Sequence, residues 1–191
     1  CLVGSEMCIR DRHYHVREFE QKLKNIFSPK MADVLCVSSG TAAIKVALKA
    51  LGVGRGDEVI TQSFNFIATV EAIVDTGANV VFTDIDDTLN MCPKNLESLI
   101  SKKTKAIIPV HMLGVPADMI LINRIGKRNK IPVVEDACEA IGAKVVGKYV
   151  GGLSEFGVFS FDFGKMITTG EGGALFCLLY TSDAADEVVR V

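Results

Sequence analysis

KAIIPVHMLGVPADMILINRIGKRNKIPVVE, residues 105–135, contains a complete strand–helix–strand unit. A short β-rich run, 105–110, comes first. A segment with apolar residues at helical spacing follows over 117–129, and a second apolar run over 131–135 closes the unit. Two strands separated by a helix of this length pair most readily in parallel. The same alternation extends outward in both directions. Strands are expected at 34–37, 58–62, 79–83, 157–161 and 173–176. Helices are expected at 13–27, from Ala42 to a stop at Gly52, at 66–76 and at 93–101. The implied fold class is α/β, a mostly parallel sheet with helices on both faces, hence three layers.

The 191 residues suffice for one domain with a buried core. Basic and acidic residues number 21 and 23, so no nucleic-acid footprint is expected. Charges recur too often for a membrane-spanning run of about 18 apolar residues, and no membrane partner is expected. The ends break the pattern. Residues 1–12, CLVGSEMCIRDR, lack the apolar stretch of a secretory signal. Met7-Cys8-Ile9-Arg10-Asp11 can be encoded by DNA whose opposite strand, one frame over, encodes Cys-Leu-Leu-Tyr-Thr, the residues 177–181. The two ends therefore resemble translated sequencing adapters. Residues 1–12 and 177–191 are set aside, leaving 13–176 as the folded piece, with balanced charge. Cys36, Cys92 and Cys138 remain in it, without the spacing of a disulfide framework or a zinc site, and read as buried cytosolic thiols.

Four places could carry chemistry. Ser38-Ser39-Gly40-Thr41-Ala42 joins a strand to a helix. A helix start offers N–H groups and partial positive charge, so it is either a phosphate cup or a simple N-cap. Glu135-Asp136 lies at the C-terminal end of a strand, the edge where open α/β sheets bind ligands. An acid there suits a metal, a ribose, a protonated ring nitrogen or a helix cap. Lys165 lies among Phe161, Phe163 and glycines just beyond a strand; a partly desolvated lysine can form a Schiff base with a carbonyl. His111 also follows a strand, with a structural or a substrate-side role open. Gly52–Asp57 follows a helix, so it reads as a turn and not a nucleotide loop. Asp84, Asp86 and Asp87 lack the spacing of a calcium loop and read as a solvated turn. No metal site is expected.

Phosphate cup, strand-end acid and lone lysine together suit pyridoxal 5'-phosphate. SSGTAA, FNFIATVEAIVDTGANVVFTDID, TKAIIPVHMLG, VVEDACEAIGA and FSFDFGKMITTGEGG, in this order, resemble the DegT/StrS family of sugar aminotransferases. The resemblance implies the aspartate-aminotransferase (type I) fold, represented here by an incomplete large domain. It implies that Lys165 forms the Schiff base and later carries the proton between the substrate carbon and the cofactor. It also implies that Asp136 pairs with the ring nitrogen. Gly40, Thr41, Ala42 and Ser160 are then expected to hold the phosphate, and Phe66 to stack on the ring. Glu139 stands where many members carry Gln or His near the ring's phenolic oxygen.

Related sugar dehydratases carry His in place of the lysine, so Lys165 favours transamination. The implied reaction moves an amino group, with glutamate as the donor, to a keto group of a nucleotide-linked sugar. The expected enzyme is a cytoplasmic homodimer. A non-catalytic binding protein of the same fold, or amination of a keto-inositol, are the alternatives. The isolated 191 residues are expected to be inactive, marginally stable and prone to aggregate.

Overall fold

A computed structural model describes residues 5–27 and 33–177. Of the expected adapter-like ends, 1–12 and 177–191, residues 1–4 and 178–191 lie outside the described residues. Helix α1, Ser5–Phe27, contains the expected 13–27 and continues N-terminally. It is followed by β1 (Asp33–Val37), α2 (Gly40–Ala50), β2 (Glu58–Gln62), α3 (Ile67–Asp75), β3 (Asn79–Thr83), α4 (Pro93–Leu99), β4 (Thr104–Ile108), α5 (Met119–Asn129), β5 (Val134–Asp136), β6 (Lys144–Val145), β7 (Lys148–Tyr149), β8 (Phe156–Ser160) and β9 (Gly173–Cys177).

Strand β2 pairs in parallel with β3 and β4, and β5 pairs in parallel with β8. Parallel bridges Ile107–Val133 and Val110–Asp136 join β4 to β5. The strand order is therefore β3-β2-β4-β5-β8-β9-β1. Strand β9 runs antiparallel to both neighbours. The mostly parallel sheet is observed, with β9 as its one reversed strand among the described residues. Sequence does not show this, because a strand's composition does not encode its direction.

Alternation along each strand divides the core in two. Val59, Ile108, Val134, Val158 and Leu175 face α2 and α3, meeting Ala43, Ala47, Leu48, Ala72 and Ile73. On the opposite face, Ile60, Ile107 and Val133 meet Leu96, Met119, Ile122 and Ile125 of α4 and α5. Phe159 and Phe176 pack there too, with Leu23 and Phe27 of α1. The three expected layers are present. Glu20 of α1 also accepts the Cys36 N–H at 2.8 Å, satisfying one edge donor of the outer strand β1.

Helix boundaries follow local chemistry. Ser39 caps α2 by accepting the Ala42 N–H at 3.1 Å, and Gly52, at φ +67°, terminates it as expected. The expected helix 117–129 begins at Met119 because Asp118 caps it, accepting the Leu121 N–H. The expected 93–101 ends at Leu99, where Ile100 turns extended. The strand expected at 131–135 is shifted to Val134–Asp136: Pro132 has no N–H to give a ladder. Gly52–Asp57 is the expected turn, tied by the Gly54 N–H to Asp57 Oδ2 at 3.0 Å. In the acidic turn, Asp86 accepts the Thr88 N–H at 2.8 Å, in agreement with a solvated loop.

The hairpin β6–β7 was not expected. Its turn residues, Val146 and Gly147, both have positive φ, at 49° and 78°. Hairpins with such turns favour Asn-Gly, whereas a β-branched residue there is strained and carries no turn signal. Val146 is 84% exposed, so its side chain contributes little packing in return. Val146→Asn should raise stability by about 1 kcal/mol, measured by urea denaturation.

Candidate functional site

Four segments meet at one corner of the sheet. They are the start of α2, the end of β5 with the turn after it, the end of β8 with the loop to β9, and the start of α3. Gly40 is buried at the first of these. A Cβ added to it would lie 2.8 Å from Cys138 Sγ and 3.0 Å from Ser160 Cβ. The α2 N-terminus is thus pressed against both other strand ends, which is possible only for glycine. From the far side of the lysine loop, Gly172 bridges Ser39, and a Cβ on Gly173 would strike the Ser39 carbonyl at 2.4 Å. The loop therefore begins and ends against this helix start.

Adjacent residues of β5 point to opposite faces and meet different partners. Glu135, fully buried, accepts the Gly151 N–H at 2.8 Å and the Leu153 N–H at 2.6 Å, and lies 3.3 Å from His111 Nε2. His111 Nδ1 accepts the Ala117 N–H at 3.0 Å, which assigns the ring proton to Nε2, directed at Glu135. Both ring nitrogens are engaged and the ring is fully buried, so the structural role is the one that the geometry supports. Asp136, 4% exposed, faces the opposite way. Its Oδ2 accepts from Thr69 Oγ1 at 2.7 Å and its Oδ1 from the Cys138 N–H at 3.2 Å.

Lys165 is half-buried in the loop after β8, its backbone N–H bonded to the Asp162 carbonyl at 3.0 Å. Its Nζ lies 3.8 Å from Glu139 Oε1 and 5.6 Å from the centre of the Phe66 ring. Glu139 Oε2 accepts the Leu113 N–H at 3.3 Å, in a turn where Leu113 takes φ +52°. Phe66 itself is 60% exposed at the N-cap of α3, which starts one residue later than expected. Ser160 accepts the Asp162 N–H at 3.4 Å and borders Gly40. The Ala42 N–H, expected to face a phosphate, is engaged by the Ser39 side chain, so an anion at this helix start would share or displace that cap. Burial, with the Asp136 carboxylate beside it, pushes the Cys138 thiol well above its ordinary value. It stays a protonated packing group and not a nucleophile.

The residues that the resemblance implies lie on these four adjoining segments, whereas His111 and Glu135 turn to the opposite face of the sheet. Thr69 was missed. A threonine within the apolar helix IATVEAIVD gives no signal of its own, and only the fold brings it to Asp136. The buried side chains Gln62 and Asn90 were missed as well. Gln62 Oε1 accepts the Met91 and Val110 N–H groups, and Asn90 accepts that of Met112. They brace the loop that carries Leu113.

The profile of the DegT/DnrJ/EryC1/StrS aminotransferase family matches residues 7–190. The chain belongs to this family. It is 43% identical over 166 residues to GDP-perosamine synthase of Escherichia coli O157:H7, covering 86% of this chain and 45% of that one. Among solved structures, DesV of S. venezuelae in complex with a ketimine intermediate has a TM-score of 0.85 at 34% identity, over 91% of this chain and 46% of DesV. Spr1654 of Streptococcus pneumoniae, in its PLP form, has a TM-score of 0.85 at 29% identity, over 92% of this chain and 48% of that one. The fold is that of these type I aminotransferases. The chain spans less than half the length of these relatives. No helix among the described residues is long and apolar enough to cross a membrane.

Proposed function

We propose that this chain is the cofactor-binding part of an aminotransferase that uses pyridoxal 5'-phosphate and aminates a keto group on a nucleotide-linked sugar. Residues 13–176 are read as a partial large domain. The carrying observation is the placement of buried Asp136 and half-buried Lys165 around the Gly40 helix start. The donor set fits the cofactor's parts. Lys165 offers an amine for an aldehyde, and Asp136 a carboxylate for a ring nitrogen. Gly40–Ala42 and Ser160 offer a helix start and a hydroxyl for a phosphate. Phe66 offers an exposed aromatic face for a flat ring.

When bound, pyridoxal 5'-phosphate supplies an aldehyde for amines and a ring that accepts the electron pair left as a proton departs. The protein's own groups do the rest. Asp136, fixed by two donors, holds a proton at the ring nitrogen. As a free amine, Lys165 takes and returns a proton at the substrate carbon. Glu139, held by the Leu113 amide, orients the Lys165 amine. Phe66 covers one ring face and excludes water. The reading includes glutamate as amino donor, a homodimeric full-length enzyme and a cytoplasmic location. Support for the sugar substrate comes from the likeness to GDP-perosamine synthase.

The test uses the full reading frame, expressed with the cofactor. A visible absorbance band should accompany the folded protein and vanish in Lys165→Ala. A folded, cofactor-supplemented protein without that band would overturn the assignment. Assay of keto-sugar nucleotides with glutamate then checks the substrate class.

A further inference from the structure

We infer that Thr69 is a positioning residue for Asp136, fixing the carboxylate so that it can hold a proton on a bound ring nitrogen. The inference rests on the proposed function and deepens it.

Thr69 is 1% exposed and lies on the buried side of α3 with Ala72 and Ile73. An apolar residue is the ordinary occupant of such a position, since a buried hydroxyl is costly unless it is bonded. Its Oγ1 is 2.7 Å from Asp136 Oδ2. A carboxylate has no proton to give, so the hydroxyl donates. The Cys138 N–H takes the other oxygen at 3.2 Å. One donor on each oxygen, from two different segments, fixes the carboxylate's plane. The Thr69 N–H also bonds to the Phe66 carbonyl at 3.2 Å, so hydroxyl and aromatic share one helical turn. The turn that presents Phe66 to the site therefore also orients the acid.

Removing the hydroxyl leaves a buried carboxylate oxygen without its donor. The carboxylate can then turn out of the plane that faces a bound ring nitrogen, and an acid so turned no longer holds a proton there. The fold has less to lose, because valine fills nearly the same space and suits a buried helix face.

The experiment compares full-length wild type, Thr69→Val and Thr69→Ser, each loaded with pyridoxal 5'-phosphate labelled with 15N in the ring. Wild type and Thr69→Ser should give the protonated ring-nitrogen signal. Thr69→Val should shift that signal toward the unprotonated form and lower kcat about tenfold or more, in a protein that still unfolds in one cooperative transition. Serine keeps the hydroxyl and should restore kcat to within about threefold of wild type. If Thr69→Val keeps the wild-type nitrogen signal and kcat, the inference is wrong. If Thr69→Ser fails as Thr69→Val does, the methyl group and not the hydroxyl matters, and the inference is again wrong. A wild type with no visible band would instead overturn the functional reading itself, before any variant is compared.

Discussion

Gly157→Ala in the full-length protein should cost about 3 kcal/mol of stability, enough to deplete the soluble folded form. Gly157 lies in β8, where an added Cβ would stand 1.9 Å from the Gly151 carbonyl oxygen and 2.5 Å from its carbon. These are backbone atoms and cannot rotate away. Nor can the segment retreat freely. The Gly151 N–H is bonded to buried Glu135, and the far side of Gly151 faces the Phe159 ring, which a Cβ there would meet at 2.5 Å. Gly54→Ala is the control. No atom lies within 4 Å of its Cβ position, so stability should stay within about 0.5 kcal/mol. Urea denaturation reads both variants. A Gly157→Ala protein as stable as wild type would show that the β8 packing described above is wrong.

Asp136→Asn should lower turnover of the loaded enzyme by about 10²–10³-fold while leaving the fold intact. The amide has nearly the carboxylate's size. Its oxygen can keep the Cys138 N–H, and its NH2 can donate to Thr69 Oγ1, because a threonine hydroxyl also accepts. What disappears is the negative charge, and with it the reason for a ring nitrogen to stay protonated. Single-turnover kinetics together with a melting curve separate the two effects. Turnover within a factor of a few of wild type would remove Asp136 from the role proposed for it.

The sheet was legible where short apolar runs alternate with amphipathic segments. β2, β3 and α2 appear where the sequence places them. Lys165 and Asp136 stood out as candidates, because an amine amid apolar residues and an acid at a strand end are locally unusual. Partnership was not legible. Glu135 and Asp136 are adjacent acids of similar chemistry, and only the face of the sheet on which each lies gives one to His111 and the other to Thr69. His111 stayed ambiguous for the same reason: its two partners come from a following loop and a neighbouring strand. The β6–β7 hairpin was hidden because Val146 is a poor residue for its own backbone conformation.

The reversed strand β9 also bears on how the protein is made. Because β9 lies between β8 and β1, Asp33 pairs with Cys177, at the opposite end of the described chain. Strand β1 leaves the ribosome early but gains its ladder partner only after the whole intervening chain has been synthesised, roughly 10–30 s later. During that interval Phe27 also lacks Phe159 and Phe176, the aromatic partners it later packs against. The parallel unit β2–β3–β4 can assemble meanwhile from nearer segments. During synthesis β1 therefore waits unpaired beside an apolar helix face that its later partners have yet to cover.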